Sequence, residues 1–105
     1  MQDSALVILA GHLGCAVEVG MVDGQVVART RLGIGQTQIV QGTVRATTLW
    51  VTLEVRGDNA ARAFQRMYTT GSRVVCQGHL VPTTAPEPHI VVDQVLATGA
   101  EPPST

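Results

Sequence analysis

The sequence predicts an all-β domain with one helix: a five-stranded Greek-key barrel, the helix lying between the third and fourth strands. Three observations carry this. Sixteen Val and twelve Thr among 105 residues make a strand-forming composition. Leu49, Val51, Leu53 and Val55 alternate strictly with Trp50, Thr52, Glu54 and Arg56. That period of two belongs to a strand with one face on a core. Only the stretch between Asp58 and Gly71 shows helical spacing.

The elements follow in order. Ala5 to Leu13 is apolar at both parities and reads as a first strand covered on both faces. Gly11 and Gly14 interrupt it, as where a strand bends round a small barrel, and the run continues through Ala16, Val17 and Val19. Asp23-Gly24 signals a hairpin, and Gln25 to Ile34 reads as the second strand. Gly35 to Thr47 is polar, with Ile39, Val40 and Val44 inside it, and reads as a long loop with room for a short hairpin. The alternating run ending at Arg56 is the third strand.

Asp58 or Asn59 is expected to cap the helix, since either side chain can accept from the first turn's free N–H groups. Ala60, Phe64, Met67 and Tyr68 form its apolar stripe; Arg62, Gln65 and Arg66 lie off it, and Gly71 ends it. Arg73 to Val81 is the fourth strand, stopped by Pro82, which has no N–H for a ladder. Pro82, Pro86 and Pro88 mark a loop, and His89 to Leu96 is the fifth strand. This order is that of the OB barrel, one end plugged by Phe64, Met67 and Tyr68. Residues 1–98 are expected as one domain, and 99–105 as a flexible tail.

Composition narrows the function. A mean hydropathy of +0.22 excludes wholesale disorder. No apolar run reaches the roughly 18–20 residues of a membrane span, so no membrane partner is expected. Met1-Gln2-Asp3-Ser4 brings no basic segment, which points to the cytoplasm. All seven basic residues are Arg, whose planar fork suits phosphate and stacks on rings. The net charge is only −1, so an anionic partner must be met by a local patch.

Cys15 and Cys76 read as two buried thiols. With His12 and His79 they make mirrored His-x-x-Cys and Cys-x-x-His spacings, but positions i and i+3 of a strand point to opposite faces, so no metal is expected. There is no nucleophile triad, paired-carboxylate motif or phosphate loop, and Gly33-Ile34-Gly35 lacks the rest of a dinucleotide fingerprint. Neither enzyme activity nor a cofactor is expected.

Trp50 is the most informative residue. With Leu49 and Val51 turned to the core, it faces the other way, as a stacking platform for a base or as a ring covered by the 35–47 segment or a neighbouring subunit. Arg29 and Arg31 share one parity of the second strand. Antiparallel pairing would set them beside Trp50, Thr52 and Arg56, with Arg45 adding a further cation. On a solvated face, Glu54 would pair instead with Arg31 or Arg56.

Several stretches resemble bacterial single-stranded DNA-binding proteins. Thr47-Thr48-Leu49-Trp50-Val51-Thr52-Leu53-Glu54-Val55-Arg56-Gly57 looks like the third strand of that family, and Asn59-Ala60-Ala61-Arg62-Ala63-Phe64 like its helix start. Gly71-Ser72-Arg73-Val74 through Gly78-His79-Leu80 resembles its Gly-Ser-x-Val strand. Val7 to Leu13, Gly24 to Leu32 and His89 to Val95 are similar to the first, second and last strands. The resemblance implies an OB fold, sequence-independent binding of single-stranded DNA in replication, repair or recombination, and a nucleoid-associated homodimer or homotetramer. It implies stacking on Trp50, with Arg29, Arg31, Arg45, Arg56 and Thr52 around it, and replication or repair proteins as further partners. The chain also departs from the family. His12 and His79 stand where the family carries Arg, and Pro82 to Pro88 holds no Arg, Lys or ring. These departures set a second expectation beside the first: a protein-interaction module, associated with the primosome or replication, in which DNA binding is weakened or lost.

Overall fold

The computed structural model describes residues 6–97. The expected tail, 99–105, lies outside them. Among the described residues six strands and one helix follow in order: β1 (Leu6–Leu13), β2 (Glu18–Val22), β3 (Gln25–Val40), β4 (Thr43–Arg56), α1 (Asp58–Met67), β5 (Arg73–Val81) and β6 (His89–Ala97). The sheet order is β1-β5-β6-β4-β3-β2, and β1 pairs again with β3. The pairings β1–β5–β6–β4–β3–β1 therefore close on themselves, with β2 appended to β3. Only β4 with β6 is parallel.

The strand count exceeds the expected five because the first apolar run breaks after Leu13. There the chain leaves the ladder: Gly14 N–H donates to Arg31 O, and the Thr30 hydroxyl donates to Cys15 O. The helix accordingly falls between β4 and β5. Within the chain β1 is covered on one face only. Leu13 is buried and Val7 and Leu9 pack on the core, whereas Leu6 and Ile8 are 60% and 65% exposed. From Leu6 to Gly11, β1 pairs with β5 alone, so its other edge has no partner among the described residues.

The 35–47 segment is not a loop. β3 runs on to Val40, β4 starts at Thr43, and an unbroken ladder joins them from Val27↔Arg56 to Val40↔Thr43. Gln41 and Gly42 close it, both with positive φ (52° and 77°), the signature of a tight two-residue hairpin turn. The polarity of this segment reflects exposure of both faces, not absence of pairing.

The core gathers Leu13, Leu32, Val51, Leu53, Val74, Cys76 and Ile90 from the strands, with Ala61, Phe64 and Tyr68 from the helix side. The Phe64 and Tyr68 rings meet at 4.8 Å. Met67, expected in the plug, is 61% exposed. At about 100° per residue Ala61 and Tyr68 lie to one side of Phe64 and Met67 to the other, so the buried stripe is narrower and turned. No side chain caps the helix: Gly57 takes the N-cap with φ 105°, and Asp58, inside the first turn, pairs with Arg62. Of the two thiols only Cys76 is buried, and burial pushes its pKa up to about 11; Cys15 is exposed because it lies in the break after β1. No helix of the described residues is long and apolar enough to cross a membrane.

Candidate nucleic-acid interface

The outward face of the β3–β4 ladder carries the site. Its register sets Val27 opposite Arg56, Arg29 opposite Glu54, Arg31 opposite Thr52 and Gly33 opposite Trp50. Alternate rungs share a face, so Arg29, Arg31, Trp50, Thr52 and Arg56 lie on one surface. Arg45 does not join them. It pairs with Gln38, and its odd position in β4 gives it the parity of Val51 and Leu53.

Trp50 is half-buried, outside the core cluster. Its six-membered ring rests where Gly14 and Gly33 have no side chains: a Cβ on either would lie 2.3 Å or 2.9 Å from it. The Arg31 guanidinium stands over the ring, 4.6 Å from a ring centroid, a cation–π distance.

The charges are paired in a way the alternation conceals. Glu54 is 3% exposed, although its parity assigns it to water. Its carboxylate accepts from Arg29 Nε at 3.1 Å and from Arg56 Nε, and lies 3.0 Å from His89 Nε2. Burial works to raise its pKa, but the hydrogen bonds from Arg56 and Arg29, with the Arg56 charge and His89, more than offset that and hold it below the ordinary carboxylate range. Arg29, not Arg31, is the β3 partner because Arg29 is the residue directly across the ladder. Arg31 turns to Glu87 in the Pro82–Pro88 loop, donating from Nε at 3.1 Å and from a terminal nitrogen. That bond to Glu87 raises the Arg31 pKa. Three guanidiniums thus meet two carboxylates. The loop, Thr52 and His89 border an open groove of about 680 Å³ with Glu54 in its lining.

Glu87, His89 and Gly14 belong to this site without a sequence motif to mark them. Glu87 is the single acid of a loop whose prolines dominate its reading. His89 follows from parallel pairing of β6 with β4, which sets it beside Thr52. His12, Cys15, Cys76 and His79 do not converge: the β1–β5 register places Leu9 opposite Cys76 and Leu6 opposite His79.

The sequence matches no family model and no curated protein. Solved structures match the fold. The small single-stranded DNA-binding protein of Streptomyces coelicolor superposes with a TM-score of 0.75 at 16% identity, over 90% of this chain and 93% of that one. The single-stranded DNA-binding protein of Plasmodium falciparum, solved in complex with single-stranded DNA, gives 0.70 at 19% identity, over 90% and 93%. The protein PriB from Ralstonia solanacearum gives 0.66 at 14% identity, over 87% and 94%. The chain therefore has the OB-like fold of these proteins, mostly β with one helix.

Proposed function

We propose that this chain is a binding protein, not an enzyme: a Greek-key OB barrel that takes single-stranded DNA largely without regard to sequence. One observation carries the reading. The only Trp of the chain is held on the outer face of a strand ladder, under the Arg31 guanidinium and on the face that also carries Arg29 and Arg56, rather than in the core. A base stacks on the indole, a contact worth about 1–3 kcal/mol, while the three arginines and Thr52 position phosphates. Neutralising three phosphates gives a log-affinity versus log-salt slope of about −2. The roles in replication, repair or recombination, and the cytoplasmic, nucleoid-associated setting, follow from this activity. The test is fluorescence titration of Trp50 with oligo-dT at low salt. Quenching that saturates supports the reading; its absence removes it.

The working unit is a homodimer or homotetramer. The exposed Leu6 and Ile8 and the open edge of β1 support this, since a second β1 would cover the apolar face. A second reading, a protein-interaction module of the replication machinery, is favoured by Glu54 and Glu87, which neutralise much of the cationic face. In that case Trp50 emission is blue, insensitive to DNA, and shifts to the red on dilution as subunits part.

A further inference from the structure

We propose that Glu87 is a resident counter-anion of this face: it holds Arg31 over the indole of Trp50 until a phosphate of the incoming strand takes its place. The inference rests on the single-stranded DNA reading and adds to it a residue that limits affinity. Three features of the geometry support it.

First, Arg31 makes two contacts at once. Its guanidinium grips both carboxylate oxygens of Glu87 and stands 4.6 Å from the Trp50 ring. It therefore occupies space over the ring that a stacked base needs. Second, Glu87 is built into position. It sits between Pro86 and Pro88, and a residue before proline is confined to extended backbone. Pro88 O accepts from Thr52 N–H at 2.9 Å, and Thr52 is the residue directly opposite Arg31. The loop is thus fastened to β4 at the rung where Glu87 must reach. Third, the two carboxylates of the face differ. Glu54 is buried under Arg29, Arg56 and His89, whereas Glu87 and Arg31 keep 31% and 46% of their side-chain exposure. An exposed ion pair is weak enough to exchange, and a phosphate offers Arg31 the same bidentate geometry. Glu54 stays in place while Glu87 lets go.

The experiment uses the intact protein, its Glu87→Gln and Arg31→Ala variants and the double variant. Acrylamide, a neutral quencher, reads access to Trp50 without DNA; oligo-dT titration reads affinity. Glu87→Gln is expected to raise acrylamide quenching and to tighten oligo-dT binding by two- to fivefold, about the ceiling for an exposed pair. Both effects should vanish when Arg31 is already Ala. Unchanged quenching overturns the proposal, and so does equal tightening with Ala at 31, which would make Glu87 a general repulsive charge. If the wild type binds and Glu87→Gln changes nothing, the counter-anion fails and the DNA reading stands. If no variant binds oligo-dT, the DNA reading fails and phosphate exchange with it.

Discussion

Trp50 stands directly across the β3–β4 ladder from Gly33, and Gly14 approaches the same ring from the break after β1. A Cβ at Gly14 would lie 2.3 Å from the ring, closer than any real contact. Two positions without side chains thus make the seat of the indole, and Gly14 has no positive φ that would forbid Ala on backbone grounds.

Gly14→Ala should therefore displace the ring while leaving the fold intact. The expected outcome is a shifted Trp emission maximum, a melting temperature within a few degrees of wild type, and weaker oligo-dT binding. Trp50→Ala sets the scale: loss of one stacked base costs at least about fivefold in affinity. An Ala variant at position 14 with unchanged emission and affinity would mean that the seat does not position the ring.

Glu54 gives the fold an acid dependence of known sign. Its pKa in the folded protein is lower than the ordinary 4.5, so the bonds to Arg29, Arg56 and His89 stabilise the fold above that pH and are lost as pH falls through the lowered value. Glu54→Gln should cost about 1.5–3 kcal/mol at pH 7, the worth of a hydrogen bond to a charged group. The gap between wild type and variant should narrow below pH 4.5. Urea denaturation at pH 7 and pH 3 checks this; a constant gap would remove the carboxylate as the cause.

Alternation and turn signals in the sequence are enough to read the mostly-β class, the helix and the Trp50 face, because these depend on local spacing. They do not separate β2 from the first apolar run, so the strand count comes out one short. Arg29, Arg31, Thr52 and Arg56 come together as their parity requires. Three things escaped local reading. The β3–β4 hairpin has polar residues on both faces, so no amphipathic period marks it, and only its complete register reveals it. The burial of Glu54 depends on Arg29 across the ladder and His89 from a parallel neighbour, contacts separated by 25 and 35 residues. The Arg31–Glu87 pair spans 56 residues and rests on where a proline loop is fastened. Helix details also moved, since Gly57 rather than a side chain begins α1 and Met67 falls outside the buried stripe.

The apolar outer face of β1 makes a separate prediction about assembly. Ile8 points away from the core, so Ile8→Glu leaves the subunit's own packing untouched while placing a charge in any contact made through that face. Light scattering should give a multiple of 11.0 kDa for the wild type and the single-chain mass for the variant. A monomeric wild type, or a variant that still assembles, would place the contact elsewhere.

The closed pairing of the strands depends on two glycines that sit against backbone rather than against a movable ring. A Cβ on Gly11 would meet Gly33 O at 2.3 Å, where β1 crosses to β3; one on Gly78 would meet Val91 O at 2.4 Å, beside the irregularity in β5–β6 pairing. A backbone carbonyl in a ladder cannot yield without shifting the strand. Gly11→Ala and Gly78→Ala should each cost about 1–3 kcal/mol, as for an overpacked core. For a chain of this size each kcal/mol lowers the melting temperature by about 4–8 °C. Gly20 and Gly35 are also strand glycines, but they face open space and their φ is not positive, so Ala there should be neutral or stabilising by about 0.5–1 kcal/mol. Melting all four variants side by side separates close backbone approach from the general cost of replacing a glycine: equal losses at all four positions would mean that the close approach at Gly11 and Gly78 has no energetic consequence.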